Sequence, residues 1–225
     1  MAGKFGFRIG PDFVHPKKEL MQKLLQYPTP PLADGLNKFN VMDPRIKPVW
    51  NGLHIAGPAL TVRVRPGDNL MVHKAISMIQ EGDVLVIDTC GCMNYTVLGD
   101  LMASSAVRKK AAGIVVDGGI RDVDELRAKK FPVFAKYFTP AVGDKDGPGE
   151  INFPICCGGV PVMPGDYIVG DNNGVVVIPP DQLEGILAGT EKKLAYEKKR
   201  ALEIEQGKID KPDIEEKLRR FGVID

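Results

Sequence analysis

No stretch of the chain approaches the roughly 18 consecutive apolar residues that a membrane-spanning helix needs. The N-terminal MAGKFGFRIG also has no apolar signal core. A cytoplasmic protein with no membrane contact is therefore expected. Charge of one sign is equally scarce: 30 Lys and Arg against 29 Asp and Glu leave a formal net charge of +1, which gives no reason to expect nucleic acid as a partner. Cysteine is limited to Cys90, Cys92 and the adjacent Cys156 and Cys157. Neither spacing is that of a zinc knuckle, and four cysteines in so long a chain make no disulfide framework, so reduced thiols filling small spaces are expected. The histidines His15, His54 and His73 form no HxxxH or HExxH pair, and His73 falls in an expected helix over 69–80 as a satisfied structural residue. Repeats, low-complexity tracts and linkers are absent too. The 225 residues read as a single domain over 1–225 whose last part, 181–225, is a helical extension.

What is present is an alternation of helical and strand-like text. KKELMQKLLQ is helical, YPTPPLADGL is rich in turn residues, and Ala33 to Leu36 open another short helix. HIAGPALTVRVRPGD reads as a strand pair bent at Gly57-Pro58, and residues 84–88, VLVID, as a central strand buried on both faces. Residues 89–98 form a loop at that strand's C-terminal end, the usual ligand position in an open α/β sheet. Strand-like segments recur at 132–135, 155–162, 166–169 and 174–178, with an exposed loop at 141–152, and 181–206 form one long charged helix. The fold class is α/β.

The stretch from Gly99 to Glu125, GDLMASSAVRKKAAGIVVDGGIRDVDE, concentrates the chemistry. It predicts a helix over 103–112 stopped by Gly113, a strand over 114–117, a turn at Asp117-Gly118-Gly119 and a helix over 123–130. If the first helix begins after Asp100, the amides of Leu101 and Met102 lack intrahelical partners and can hold a small carboxylate. Arg121 and Asp122 then converge with Asp100 on that site. The same spacing also fits helix caps, with Asp122 and Glu125 as a capping box and Asp100 capping its own helix; spacing alone leaves both readings open.

These residues carry a resemblance. Asp100, twenty intervening residues and Arg121-Asp122, together with LGD at 98–100, VVDGGIRD at 115–122, CGGVPVMPGD at 157–166 and GVVVIP at 174–179, resemble the RraA-like superfamily. Within it they resemble the metal-dependent aldolases that cleave 4-hydroxy-4-methyl-2-oxoglutarate and 4-carboxy-4-hydroxy-2-oxoadipate to pyruvate, with oxaloacetate decarboxylation at the same site. The resemblance covers roughly residues 30 to 210. It implies a layered swivelling β/β/α fold with a long C-terminal helix, assembled as a homotrimer or homohexamer with sites between subunits. It further implies that Asp122 ligates Mg²⁺ or Mn²⁺, that Asp100 holds the metal's water ligands, and that Arg121 binds the C2 oxygen of the pyruvyl group. Gly99 and the amides of Leu101 and Met102 would hold the pyruvyl carboxylate. Glu197 from the long helix of an adjacent subunit would complete the metal shell, with Glu191 and Glu203 as neighbouring alternatives. A small 2-oxo acid is the implied partner. The competing class is an RraA-type protein regulator of ribonuclease E, whose members lack the full acidic motif; an S-adenosylmethionine methyltransferase finds no glycine-rich nucleotide loop here.

Overall fold

An uninterrupted apolar run such as Val84 to Ile87 is stable in water only with both faces covered, and residues 84–88 are buried at every position. Around them the computed structural model, which describes residues 3–224, builds a mixed α/β architecture. In chain order its elements are β1 (Phe7–Ile9), α1 (Lys18–Leu24), α2 (Thr29–Gly35), β2 (Lys47–Pro48), β3 (Ile55–Val64), α3 (Leu70–Met78), β4 (Val84–Asp88), β5 (Thr96–Leu98), α4 (Asp100–Arg108), β6 (Gly113–Ile120), α5 (Val123–Lys129), β7 (Val133–Phe138), β8 (Gly149–Ile151), β9 (Ile155–Cys157), β10 (Val160–Val162), β11 (Tyr167–Asp171), β12 (Gly174–Ile178), α6 (Leu183–Glu205) and α7 (Pro212–Arg220). The main sheet runs β1-β8-β3-β4-β6-β7-β2, with β5 added on β6 and the β11-β12 ribbon added on β3. β3, β4, β6 and β7 are parallel neighbours.

Alternation along these strands feeds two cores. Val62, Leu85, Ile87, Ile114, Val116 and Val133 pack with Val72 and Ile76 of α3, Ala103 and Ala106 of α4 and Leu126 of α5. The opposite parity, Val84, Val86, Val115 and Phe134, meets Ile155, Val160 and Val162 of the β9-β10 hairpin. A third core joins α1, α2 and the start of α6 to Val169, Val176 and Ile178 of the ribbon. The result is a layered α/β fold ending in a long helix. Only the first turns of that helix are buried, at Leu183, Ile186, Leu187 and Thr190, which accounts for the charged text of its second half.

Several local expectations are corrected. TPPLADG is itself helix α2, because prolines in the first turn remove only donors that have no partner there. Residues 55–64 are one strand, not a bent pair: Gly57-Pro58 falls where β3 leaves the antiparallel partner β11 and joins the parallel partner β4 at Ala59. The helix after Gly99 starts at Asp100 and ends at Arg108, with Lys110 at φ 60° in the left-handed region, while Gly113 opens the strand. The 141–152 loop contains β8, and 155–162 is a hairpin split by Gly158-Gly159.

The Asp117-Gly118-Gly119 turn is also absent, since β6 continues to Ile120. These glycines serve close approach. A Cβ on Gly118 would lie 2.3 Å from Thr89 Oγ1, and one on Gly119 would lie 2.7 Å from the Tyr95 carbonyl. No helix among the described residues is long and apolar enough to cross a membrane. The cysteines are unbonded, but only Cys157 fills buried space; Cys90 and Cys156 are exposed.

Candidate functional site

β6 ends at Ile120, and the amide of Arg121 donates to the Leu98 carbonyl at 3.1 Å. That bond brings the end of β6 against the end of β5, so the two halves of the motif meet despite the twenty residues between them. Asp122 turns the chain in the left-handed conformation, φ 57°, ψ 44°, which Asp tolerates better than most side chains. Its Oδ2 accepts the Asp100 amide at 2.9 Å. Asp122 therefore caps α4 and makes no side-chain cap on its own helix α5. The capping-box reading with Glu125 is not realised, and Gly99 rather than Asp100 is the N-cap of α4.

Gly99 is the reason this contact exists. A Cβ there would stand 2.6 Å from Asp122 Oδ2 and 3.1 Å from Arg121 Nε, below any real Cβ contact for the first. Arg121 Nε lies 3.6 Å from Asp122 Oδ2, both side chains being partly exposed. Asp100 sends its buried Oδ1 to within 2.5 Å of the Lys129 ammonium, without hydrogen-bond geometry. Beyond them the amides of Leu101 and Met102 find no acceptor among the described residues; the first intrahelical bond is from Ala103 to Gly99 at 3.0 Å.

A cavity of about 180 Å³ opens at this point. Gly99, Leu101, Met102, Arg121 and Asp122 line one side, and Asn69, His73 and Lys145 contribute to the rest. A neighbouring cavity of about 380 Å³ shares Arg121 and Asp122 and adds Phe138, Thr139 and Pro140. The three residues Asn69, His73 and Lys145 were not selected by sequence, because nothing in their local text separates them from an ordinary helix start and an ordinary surface loop. Asn69 is buried, and its Oδ1 has no partner. His73 is not the satisfied structural residue expected of it: its imidazole has no hydrogen-bond partner among the described residues, and the residue lines the cavity.

Burial, and then the charge of Lys145, push the His73 pKa below its ordinary value of 6.5. The folded protein thus binds this proton less readily than the unfolded chain does, so the associated stability is present above pH 6.5 and lost as pH falls below it. Lys145→Met is expected to raise the His73 midpoint in an NMR titration, since one of the two forces opposing protonation is removed; an unmoved midpoint would leave burial as the sole cause.

No group of three or more His, Cys, Asp or Glu among the described residues is arranged to hold a metal ion. The two carboxylates of the motif still suit a hard divalent cation, because Mg²⁺ is commonly held by one or two carboxylates with water and ligand supplying the rest. Asp122, whose carboxylate is partly exposed at the cavity, is a donor of the right kind, while the Asp100 Oδ1 is paired with the Lys129 ammonium. Glu197 is half-exposed, 3.6 Å from Lys193, and is not in the cavity of its own chain. Glu191 accepts the Tyr27 hydroxyl at 2.7 Å, and Glu203 pairs with Arg200 at 3.1 Å. A separate buried charge group, in which Lys136 bridges Asp43 and Asp117 at 2.8 and 2.9 Å, is also outside the cavity.

The chain is similar to a protein of Halalkalibacterium halodurans provisionally named 4-hydroxy-4-methyl-2-oxoglutarate aldolase. The two are 44% identical over 173 residues, which is 77% of this chain and 82% of the relative. Among solved structures, it resembles the RNA-processing inhibitor RraA from Thermus thermophilis, with a TM-score of 0.62 at 32% identity over 68% of this chain and 92% of the other. It also resembles a Streptomyces coelicolor protein described as an unusual member of the RNase ES inhibitor RraA family, with a TM-score of 0.75 at 28% identity over 84% and 98%. The family model RraA-like, Aldolase/RraA, matches residues 29–177. With Arg121 and Asp122 lining the cavity, Asp100 bonded to Asp122, and the match spanning more than half its length, the chain belongs to the RraA-like family.

Proposed function

We propose that the protein is a divalent-metal-dependent pyruvate aldolase acting on a 4-hydroxy-2-oxo di- or tricarboxylic acid such as 4-hydroxy-4-methyl-2-oxoglutarate or 4-carboxy-4-hydroxy-2-oxoadipate. One observation carries the reading: the Arg121 guanidinium, the Asp122 carboxylate and two unpartnered helix-start amides share a single cavity, with Asp100 tied to Asp122 through its own amide. The Leu101 and Met102 amides at the positive end of α4 bind the pyruvyl carboxylate, for which a helix N-terminus is suited. Arg121 donates to the C2 oxygen, where charge accumulates as the C3–C4 bond breaks and its electron pair moves into the enolate. Asp122 would hold the Mg²⁺ or Mn²⁺ directly and Asp100 through water, with Glu197 of a second copy in a trimer or hexamer completing the set. The metal, when bound, supplies positive charge beside the developing enolate.

Asp100 orients the water that receives the C4 hydroxyl proton, so that C4 leaves as a carbonyl. A proton delivered to C3 then yields pyruvate. Asn69, His73 and Lys145 face the remainder of the substrate, whose distal carboxylates match the Lys145 charge. Loss of CO₂ from oxaloacetate gives the same enolate and belongs to the same site.

Protein stripped with a chelator should lose pyruvate release from a panel of 4-hydroxy-2-oxo acids and oxaloacetate and regain it with Mg²⁺ or Mn²⁺. Release that persists without metal would refute the metal dependence. The likeness to two RraA inhibitors supports a second reading, regulation of ribonuclease E by binding; capture of that enzyme with no turnover of any substrate would favour it.

A further inference from the structure

We infer that Asp68 is a positioning residue for this site, tying the loop that carries Lys145 to the turn and helix that carry Asn69 and His73. The inference rests on the aldolase reading for its kinetic consequence. Asp68 sits between β3 and α3, is fully buried, and does not line the cavity. A buried carboxylate is unfavourable unless its oxygens are satisfied, and here backbone amides satisfy them. Oδ1 accepts the Leu70 amide at 2.9 Å, capping the first turn of α3. Oδ2 accepts the amides of Asp146 and Gly147, both at 2.8 Å. The nearest cation, Arg65, stands 3.6 Å away, beyond hydrogen-bond reach.

The placement of those amides gives the carboxylate its consequence. On the near side of Lys145 the loop is held by backbone, with the Asp144 amide on the Gly67 carbonyl at 2.7 Å and the Asn69 amide on the Asp144 carbonyl at 3.0 Å. On the far side residues 146 and 147 are held by Asp68, before the backbone takes over at Pro148, whose carbonyl accepts the Arg65 amide at 3.3 Å. Lys145 is therefore clamped between a backbone anchor and a carboxylate anchor, and that carboxylate also caps the helix bearing His73. Lys145 and His73 make no hydrogen bond of their own that would hold them against each other, so their approach depends on the clamp.

Asp68→Asn keeps the size of the side chain but replaces one accepting oxygen with an NH₂ group that must face an amide donor. Hydrogen–deuterium exchange of peptides spanning 69–73 and 141–148 should accelerate in this variant, while that of β4 and β6 stays unchanged. KM for the 4-hydroxy-2-oxo acid should rise roughly tenfold with kcat altered much less, as expected when positioning of a remote binding group is lost. In a Lys145→Met background the same substitution should add no further rise in KM, because both changes act through one group. Unchanged exchange at 141–148, or effects on KM that simply add, would overturn the inference. If Asp68→Asn does not fold, Asp146→Pro removes one of the clamped donors at an exposed position and should raise KM alike; an unmoved KM would overturn it equally. Accelerated exchange in a protein whose parent shows no turnover would sustain the clamp and sink the aldolase reading.

Discussion

Arg121→Ala is expected to lower kcat/KM for pyruvate release by about 10²- to 10³-fold, the usual cost of removing one donor from a developing oxyanion. The loss should fall mainly on kcat, because the C2 oxygen is a carbonyl in the ground state and gains its charge only as C3–C4 cleaves. The Arg121 side chain is 42% exposed, and its ionic partner is Asp122 at 3.6 Å, so folding should be little affected and the far-ultraviolet circular dichroism unchanged. Arg121→Lys should recover only part of the rate, since a point charge does not reproduce the planar fork. Steady-state kinetics on both 4-hydroxy-4-methyl-2-oxoglutarate and oxaloacetate provide the measurement, and a loss smaller than about threefold, far below that expected of an oxyanion donor, would remove Arg121 from the chemistry.

Gly99→Ala, a single added methyl group, is expected to cost about 10²-fold in kcat, the scale associated with displacing a catalytic group by roughly 1 Å. Gly99 has φ −134° and ψ −174°, extended backbone that alanine adopts without strain, so the penalty is not conformational. It comes from the 2.6 Å approach of the new Cβ to Asp122 Oδ2. The carboxylate must withdraw from the Asp100 amide, which removes the cap of α4 and shifts the proposed metal ligand in one step. Thermal unfolding should fall modestly, in keeping with a lost N-cap worth about 1 kcal/mol, while activity nearly disappears. Retained activity would mean that the Asp122–Asp100 contact is dispensable.

Those two positions also show how far the sequence could be read. Arg121, Asp122 and Asp100 were recognisable because an interval of twenty residues between fixed types is a long and specific pattern, and β4 was recognisable because no other environment suits four consecutive apolar residues so short of helix length. What spacing could not separate was cap from ligand, and the structure makes the distinction oddly shaped: Asp122 does cap a helix, but the other one. The DGG segment misled because glycine has two uses. It permits a turn, but it also permits a neighbouring segment to pass close by, and Thr89 and Tyr95 make that second use here. Asn69, His73 and Lys145 were out of reach for another reason. Their common position is made by contacts between α3 and a loop some seventy residues later, and no local periodicity encodes such a meeting.

The change of partner within β3 bears on how the chain is made as well as on its final shape. Its second half finds β4 within a short stretch of sequence, Ala59 beside Val84, and can pair early in synthesis. Its first half waits for β11, Ile55 opposite Gly170. Until residues 167–171 have left the ribosome, Ile55 and Ala56 present an unpaired apolar edge, the kind of surface on which nascent chains aggregate. β11 then brings β12, α2 and the buried turns of α6 with it in one event. A chain stopped short of Gly170 would thus keep Asp100, Arg121 and Asp122 and still lack the strand that closes its sheet.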